Sequence, residues 1–286
     1  MPPSFPRFRG KWRHRAIVNP KEFLRRYQPD LRAPRRCLVV WNPRLAERLA
    51  ERFHGARVTA LAPLYVFPSR VGPIGLAYPR GVGAPTTITQ CEELAAAGTR
   101  EFLGVGTAGG LSPSLASGEV VVCDGAVRDE GTSHHYAPAH VPARPSPTLR
   151  QWVERTLGRA GVPFRVGPSW TTDAPYRETV PELRHYRSRG VLTVEMEASA
   201  MFLFGRARRV RVASVFVISD HLTDRGWDPR LHEVMGRLED VAAAILGASL
   251  SSRGSRSARG GTPRAGSTAV VRRGSRRSAG RSRSTS

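Results

Sequence analysis

Cysteine is scarce. The three in 286 residues, Cys37, Cys91 and Cys123, are too few and too scattered for a disulfide framework or a zinc site, and read as small buried hydrophobes. No metal is expected. No apolar run approaches the roughly 20 residues that a membrane span requires, and no apolar core of signal-peptide type follows Met1, so the expected location is cytoplasmic and off the membrane. Acids are missing from the ends. Residues 251–286 hold ten arginines and no acid, and residues 1–36 hold eleven Lys or Arg against Glu22 and Asp30, which leaves 24 basic and 21 acidic side chains between them. The net charge of +22 therefore belongs to the termini, whereas an enzyme of nucleic acids would carry its positive patch on the fold itself. The ends could attract a polyanion in a salt-dependent way, but nothing requires that contact.

The length suits one α/β domain of roughly 210 residues with tails. Residues 1–16 are expected as a flexible basic arm, 17–250 as the folded domain and 251–286 as a disordered Arg/Ser/Gly-rich tail. Residues 37–41 read as the first buried strand and 45–53 as a helix, with Leu45, Leu49 and Phe53 four apart. Between them, Asn42, Pro43 and Arg44 form either an anion-binding corner at a helix start or only a helix cap. Residues 58–67 and 71–78 read as a hairpin across Pro68 and Ser69. The glycine-rich stretch 81–87 leads into a helix over 88–97, but it lacks the third glycine and acidic partner of a dinucleotide fingerprint, and its glycines suit close packing. A strand over 101–105 runs into Gly106, Thr107, Ala108, Gly109 and Gly110, read as a turn whose free N–H groups and hydroxyl suit an anion. Further strands are expected over 118–127, 164–170 and 210–219, and helices over 149–157, from about Pro181, and over 229–246. His134 and His135 are adjacent and point opposite ways on an extended chain, so they share no metal. This alternation argues a single α/β domain with a mixed central sheet flanked by helices.

One stretch organises the rest: Leu192, Thr193, Val194, Glu195, Met196, Glu197, Ala198, Ser199, Ala200 and Met201. It reads as strand, turn and helix, and it delivers two acids to a helix start, where the dipole favours carboxylates. Two other stretches close hydrophobic runs, Gly104 to Leu111 before it and Val217 to His221 after it. The three together, in this order and separation, resemble the nucleoside phosphorylase family, which cleaves the N-glycosidic bonds of purine nucleosides and uridine. The resemblance covers residues 37–247.

That resemblance implies a distorted central sheet, a dimer or hexamer, and no cofactor beyond inorganic phosphate as co-substrate with the nucleoside. It implies that Glu197 accepts hydrogen bonds from the ribose hydroxyls, with Met196 under the sugar and Glu195 beside it. Thr107, Gly106 and Arg44 would bind phosphate, and Val194, Tyr176 and Arg177 the base. His135 would lie near a subunit contact. Asp220 resembles the acid with which purine-specific members protonate the base. Uridine-specific members use a Gln and Arg pair instead, and residues 176–181 contain none. The chain also departs from the family. Trp41 precedes Asn42 and Pro43 where a Gly-Asp-Pro loop is usual, and Gly104 stands in place of a second phosphate arginine. Related nucleosidases share the wording around Thr107 but use an early-loop carboxylate to activate water, and no acid occurs between Cys37 and Ala46. Phosphorolysis is therefore the expected reaction. The alternatives are hydrolysis, or a catalytically reduced relative that binds nucleosides.

Overall fold

The computed structural model describes Pro6, Phe8 and residues 10–59 and 63–251. The expected disordered tail, apart from Ser251, lies outside the described residues, as does most of 1–9. In chain order the elements are α1 (Pro20–Tyr27), β1 (Arg36–Val39), α2 (Pro43–Arg52), β2 (Ala56–Thr59), β3 (Leu64–Phe67), β4 (Ile74–Ala77), α3 (Ala84–Ala97), β5 (Glu101–Gly110), β6 (Val120–Asp129), α4 (Pro147–Arg159), β7 (Arg165–Thr172), α5 (Val180–Arg187), β8 (Thr193–Glu195), α6 (Ala198–Arg208), β9 (Arg211–Thr223), β10 (Gly226–Pro229) and α7 (Leu231–Ser251). Among the described residues, no helix is long and apolar enough to cross a membrane.

The sheet runs in the order β10-β9-β6-β7-β8-β5-β1-β4-β3-β2, and β5 also pairs with β9. Strands β5, β9, β6, β7 and β8 thus close into a ring, from which β1, β4, β3 and β2 extend as an open wing. Within the ring, β5 and β9 are parallel, as are β6, β7 and β8, and the two blocks meet antiparallel at β6–β9 and β5–β8. The central strands are buried on both faces, so their side chains alternate between two cores. Leu38, Leu103, Val105 and Val215 join Leu49, Leu157 and Leu246 from α2, α4 and α7 on one side. Cys37, Phe102, Val212 and Phe216 join Ile88, Cys91 and Phe204 from α3 and α6 on the other. This two-sided burial is why the sequence shows near-continuous apolar runs there. The same burial holds all three cysteine thiols above their ordinary range.

Three local expectations need correction. The run 58–67 is two antiparallel strands, β2 and β3, and the expected hairpin across Pro68 joins β3 to β4. The glycine stretch 106–110 is not a turn: β5 continues through it to Gly110 and stays paired with β9, with one register shift between Ala108 and Gly109. Finally, β9 runs past residue 219 to Thr223 and doubles back as β10, so the closing helix begins at Leu231.

Packing against α6 is tight at Gly205. A Cβ built there would lie 2.5 Å from Val212 Cγ2 and 3.1 Å from the Val210 carbonyl oxygen. Gly205→Ala should therefore lower the melting temperature, because overpacking of about 1–3 kcal/mol outweighs the helix-propensity gain of about 1 kcal/mol. A raised melting temperature would show that the α6–β9 contact yields more easily than this.

Candidate active site

The two acids at the β8–α6 junction have separate surroundings. Glu195 ends β8, which pairs with β7 through Thr171 opposite Glu195. Its carboxylate accepts hydrogen bonds from Thr171 Oγ1 at 2.6 Å, Ser169 Oγ at 3.2 Å, and the backbone N–H groups of Glu197 at 2.8 Å and Ala198 at 2.7 Å. Two of those donors are amides at the start of α6, so Glu195 caps the helix from outside. It is buried, and loss of solvation raises its pKa above the ordinary value in spite of the four donors.

Glu197 occupies the N-cap position but does not cap. Its Oε1 accepts the Gly83 N–H from the turn that precedes α3. Gly83 has φ +97, which excludes most side chains, and Met196 Cε lies 3.9 Å from the position of an added Cβ. The glycine-rich stretch 81–87 thus packs beside the paired acids, as its composition suggested. Burial first, and the charge of Glu195 second, push the Glu197 carboxyl up to about 8. With fewer donors than the four on Glu195, the buried Glu197 carboxylate retains acceptor capacity that Glu195 lacks.

Strand β5 supplies an opening. One edge is paired with β9 throughout, but the other pairs with β1 only as far as Gly104 and with β8 only from Gly109. No strand among the described residues covers the edge in between, which contains Gly106 and Thr107. Partner exchange of this kind at the carboxyl end of parallel strands leaves a crevice with free backbone groups. Trp41 leans over it. A Cβ at Gly106 would meet the Trp41 ring at 2.9 Å, one at Gly104 would meet it at 3.1 Å, and the indole N–H donates to Thr87 Oγ1 at 2.8 Å. Side-chain alternation puts Thr107, half-buried, on the face opposite Gly104 and Gly106. Arg44 stands exposed in the first turn of α2, while Asn42 Oδ1 caps that helix by accepting from Leu45 N at 3.0 Å.

Gly109 joins the halves. A Cβ there would lie 2.9 Å from Leu222 Cδ1, 3.0 Å from Val194 Cγ1 and 3.1 Å from Asp220 Oδ2, so only glycine lets β8 and β9 approach this closely. The register slips at this point: Ala108 pairs with Ile218 and Gly109 with Asp220, leaving Ser219 as a bulge that re-aims the strand end. Asp220 Oδ1 accepts from Ser219 Oγ at 2.6 Å, and Oδ2 accepts from Trp227 Nε1 at 2.8 Å.

The structure thus brings Val194, Gly109 and Asp220 together, with Glu195, Met196 and Glu197 one turn along the chain. Among the described residues, no hydrogen bond or ion pair joins Tyr176 or Arg177 to them. Both lie in the 3₁₀ turn Pro175–Arg177, Tyr176 is 99% exposed, and Arg177 is exposed as well. The following residue, Glu178, was not singled out from the sequence, where it resembles any acid ahead of a helix. The helix itself is capped by Thr179 and Glu182 in a reciprocal box. Burial, then the charges of Asp220 and Glu182, raise Glu178 to about 7. Trp227 was missed because β10 was not recognised. His135 lies in the 3₁₀ turn Thr132–His135, where its Nδ1 is 2.9 Å from Lys11 Nζ of the basic arm, and burial lowers its pKa. Among the described residues, no group of three His, Cys, Asp or Glu could hold a metal ion.

A mixed sheet with a closed ring, acids at its carboxyl ends and an uncovered strand edge between them defines an α/β protein with a ligand crevice. The sequence model of the phosphorylase superfamily matches residues 37–251, and the chain belongs to that superfamily. It is 30% identical to a uridine phosphorylase of Treponema pallidum over 179 residues, which are 58% of this chain and 69% of the relative. It is 30% identical to a guanosine phosphorylase of Halorubrum lacusprofundi over 142 residues, 50% of this chain and 59% of that protein. The fold matches purine nucleoside phosphorylase from Toxoplasma gondii, solved with immucillin-H, with a TM-score of 0.68 at 21% identity over 76% of this chain and 91% of that one. Uridine phosphorylase from Vibrio fischeri ES114 gives a TM-score of 0.65 at 25% identity, over 74% and 90%.

Proposed function

We propose that this chain is a nucleoside phosphorylase, a pentosyltransferase that cleaves the N-glycosidic bond of a purine nucleoside or uridine with inorganic phosphate. The carrying observation is the uncovered edge of β5 at Gly106 and Thr107, set between the Glu197 junction and the Asp220 strand end. Cleavage passes through an oxocarbenium-like sugar, so the site must grip the sugar, deliver a nucleophile and neutralise the departing base. Glu197 accepts hydrogen bonds from the ribose hydroxyls, each such charge-assisted bond contributing about 1.5–3 kcal/mol, and Met196 packs under the ring. Those new donors replace lost solvation and draw the carboxyl toward its ionised form. Phosphate sits at the β5 crevice on backbone N–H groups and the Thr107 hydroxyl, with Arg44 as the cation. One of its oxygens bonds to C1′ as the bond from C1′ to the base nitrogen breaks. The electron pair passes into the base, which takes a proton from Asp220 if it is a purine. Asp220 favours purines over uridine in this reading, Val194 lines the base side, and Glu195 holds the junction. The protein acts as a homo-oligomer, a dimer or hexamer.

Hydrolysis is the second reading, because Trp41 lies on Gly104 and Gly106 and narrows the crevice from one side. Inosine, adenosine and uridine should be incubated with and without phosphate. The expected result is free base and a pentose 1-phosphate from a purine nucleoside only when phosphate is present. Free ribose at a rate indifferent to phosphate would make the enzyme a hydrolase. Cleavage of uridine alone would remove the purine role of Asp220, and binding without turnover would leave a nucleoside-binding relative.

A further inference from the structure

The hairpin β9–β10 is held at both ends yet carries a largely exposed indole. At its base the Arg230 N–H donates to the Ser219 carbonyl at 2.8 Å. At its tip Asp224 accepts from Arg184 Nε at 3.0 Å on α5. Between them Trp227 stands opposite Leu222 in the antiparallel register, and Asp220 is two residues from Leu222 on the same face. Diagonal neighbours across a strand pair are about 7–8 Å apart, within reach of an aromatic side chain. The ring is 67% exposed, so little apolar burial accounts for its place, and its one polar atom is used on Asp220 Oδ2 at 2.8 Å.

We propose that Trp227 is a positioning residue for Asp220, an inference that rests on the role given to Asp220 above. The terminal torsion of an aspartate is broad and roughly two-fold, so a carboxylate tied by one oxygen alone can swing. Ser219 holds Oδ1 from the strand bulge, and Trp227 holds Oδ2 from the neighbouring strand. With both oxygens tied, the plane of the group is fixed. When Asp220 passes its proton to the base, negative charge grows on these two oxygens. The indole N–H and the serine hydroxyl already point at them, which stabilises the developing carboxylate without rearrangement. Each oxygen keeps a second lone pair, so neither bond excludes the base. Trp227 therefore acts on the departure of the base and leaves the grip on phosphate unchanged.

The test uses the full chain and three variants, Trp227→Phe, Asp220→Asn and the double variant, with purine nucleoside turnover measured at saturating phosphate. Trp227→Phe should lower kcat about tenfold or somewhat more, the effect of losing one hydrogen bond to a charged group, with KM for phosphate unchanged. In the Asp220→Asn background the same substitution should add little, since the group it serves has gone. Replacing Trp227 by benzothienylalanine, which keeps the ring shape but has sulfur in place of the N–H, should reproduce the loss. Equal losses from Trp227→Phe in both backgrounds, or full kcat with the sulfur analogue, would reduce Trp227 to packing and overturn the proposal. Failure of the underlying reading looks different: Asp220→Asn alone would then keep wild-type turnover.

Discussion

Asp220→Asn should lower turnover of a purine nucleoside by about 10²–10⁴-fold, the range expected for loss of a general acid. The substitution preserves size, and its amide oxygen still accepts one of the two donors that hold the aspartate. What it removes is the transferable proton. The affinity for phosphate should be nearly unchanged, because Gly106 and Thr107 lie on β5 and not on the β9 bulge. Steady-state kinetics with phosphate and nucleoside varied separately measure both. A variant with wild-type turnover on purines, or one whose loss appears only in KM for phosphate, would show that Asp220 is not the acid.

The second large effect separates Glu195 from Glu197 by stability as well as by activity. The folded-state value of Glu197, about 8, lies above the ordinary 4.5, so the folded protein retains a proton across that window which the unfolded chain has released. Stability associated with this group is fully present below about 4.5 and declines as pH rises through 8. Glu197→Gln removes the titration. It should flatten the decline of the melting temperature between those limits and stabilise the protein at pH 8 by on the order of 2–4 kcal/mol, while lowering turnover by roughly ten- to hundred-fold through loss of charge-assisted bonds to the sugar. Glu195→Ala should do the reverse to stability. It leaves Ser169, Thr171 and two α6 amides without their acceptor, at about 1–3 kcal/mol for each one that water does not reach. Thermal unfolding at several pH values, with activity per folded molecule, checks both. Identical behaviour of the two variants would erase the division of labour described for the junction.

That division was only half legible in the sequence. An alternating pair of acids beside one helix start shows that they cannot both face a sugar. Which of them is tied down depends on Thr171 and Ser169, more than twenty residues earlier, and on strand pairing that no local pattern reveals. Runs buried on both faces, such as 37–40 and 212–218, were readable because nearly every side chain in them meets a core. The box formed by Thr179 and Glu182 was equally local. By contrast, Gly106, Gly109 and Gly110 looked like a turn because glycine usually marks one. Here their backbone is extended, and they are glycines because Trp41, Val194, Leu222 and His221 crowd in from elsewhere. The strand β10 escaped because all four of its residues are exposed, so no apolar alternation announces it. With it went Trp227.

The closed ring has a mechanical consequence. Glu197 follows β8 and Asp220 lies on β9, and both strands are hydrogen-bonded to β5 and linked again through β7 and β6. A gap between two lobes can close on whatever enters it, but a gap spanned by a hoop of paired strands changes width only by straining or breaking backbone hydrogen bonds. The distance from Glu197 to Asp220 is therefore set when the chain folds, like a calliper locked at one reading. If the proposed assignment holds, nucleosides would be sorted by whether sugar and base fit that span, and adaptation to size would come from loops outside the hoop.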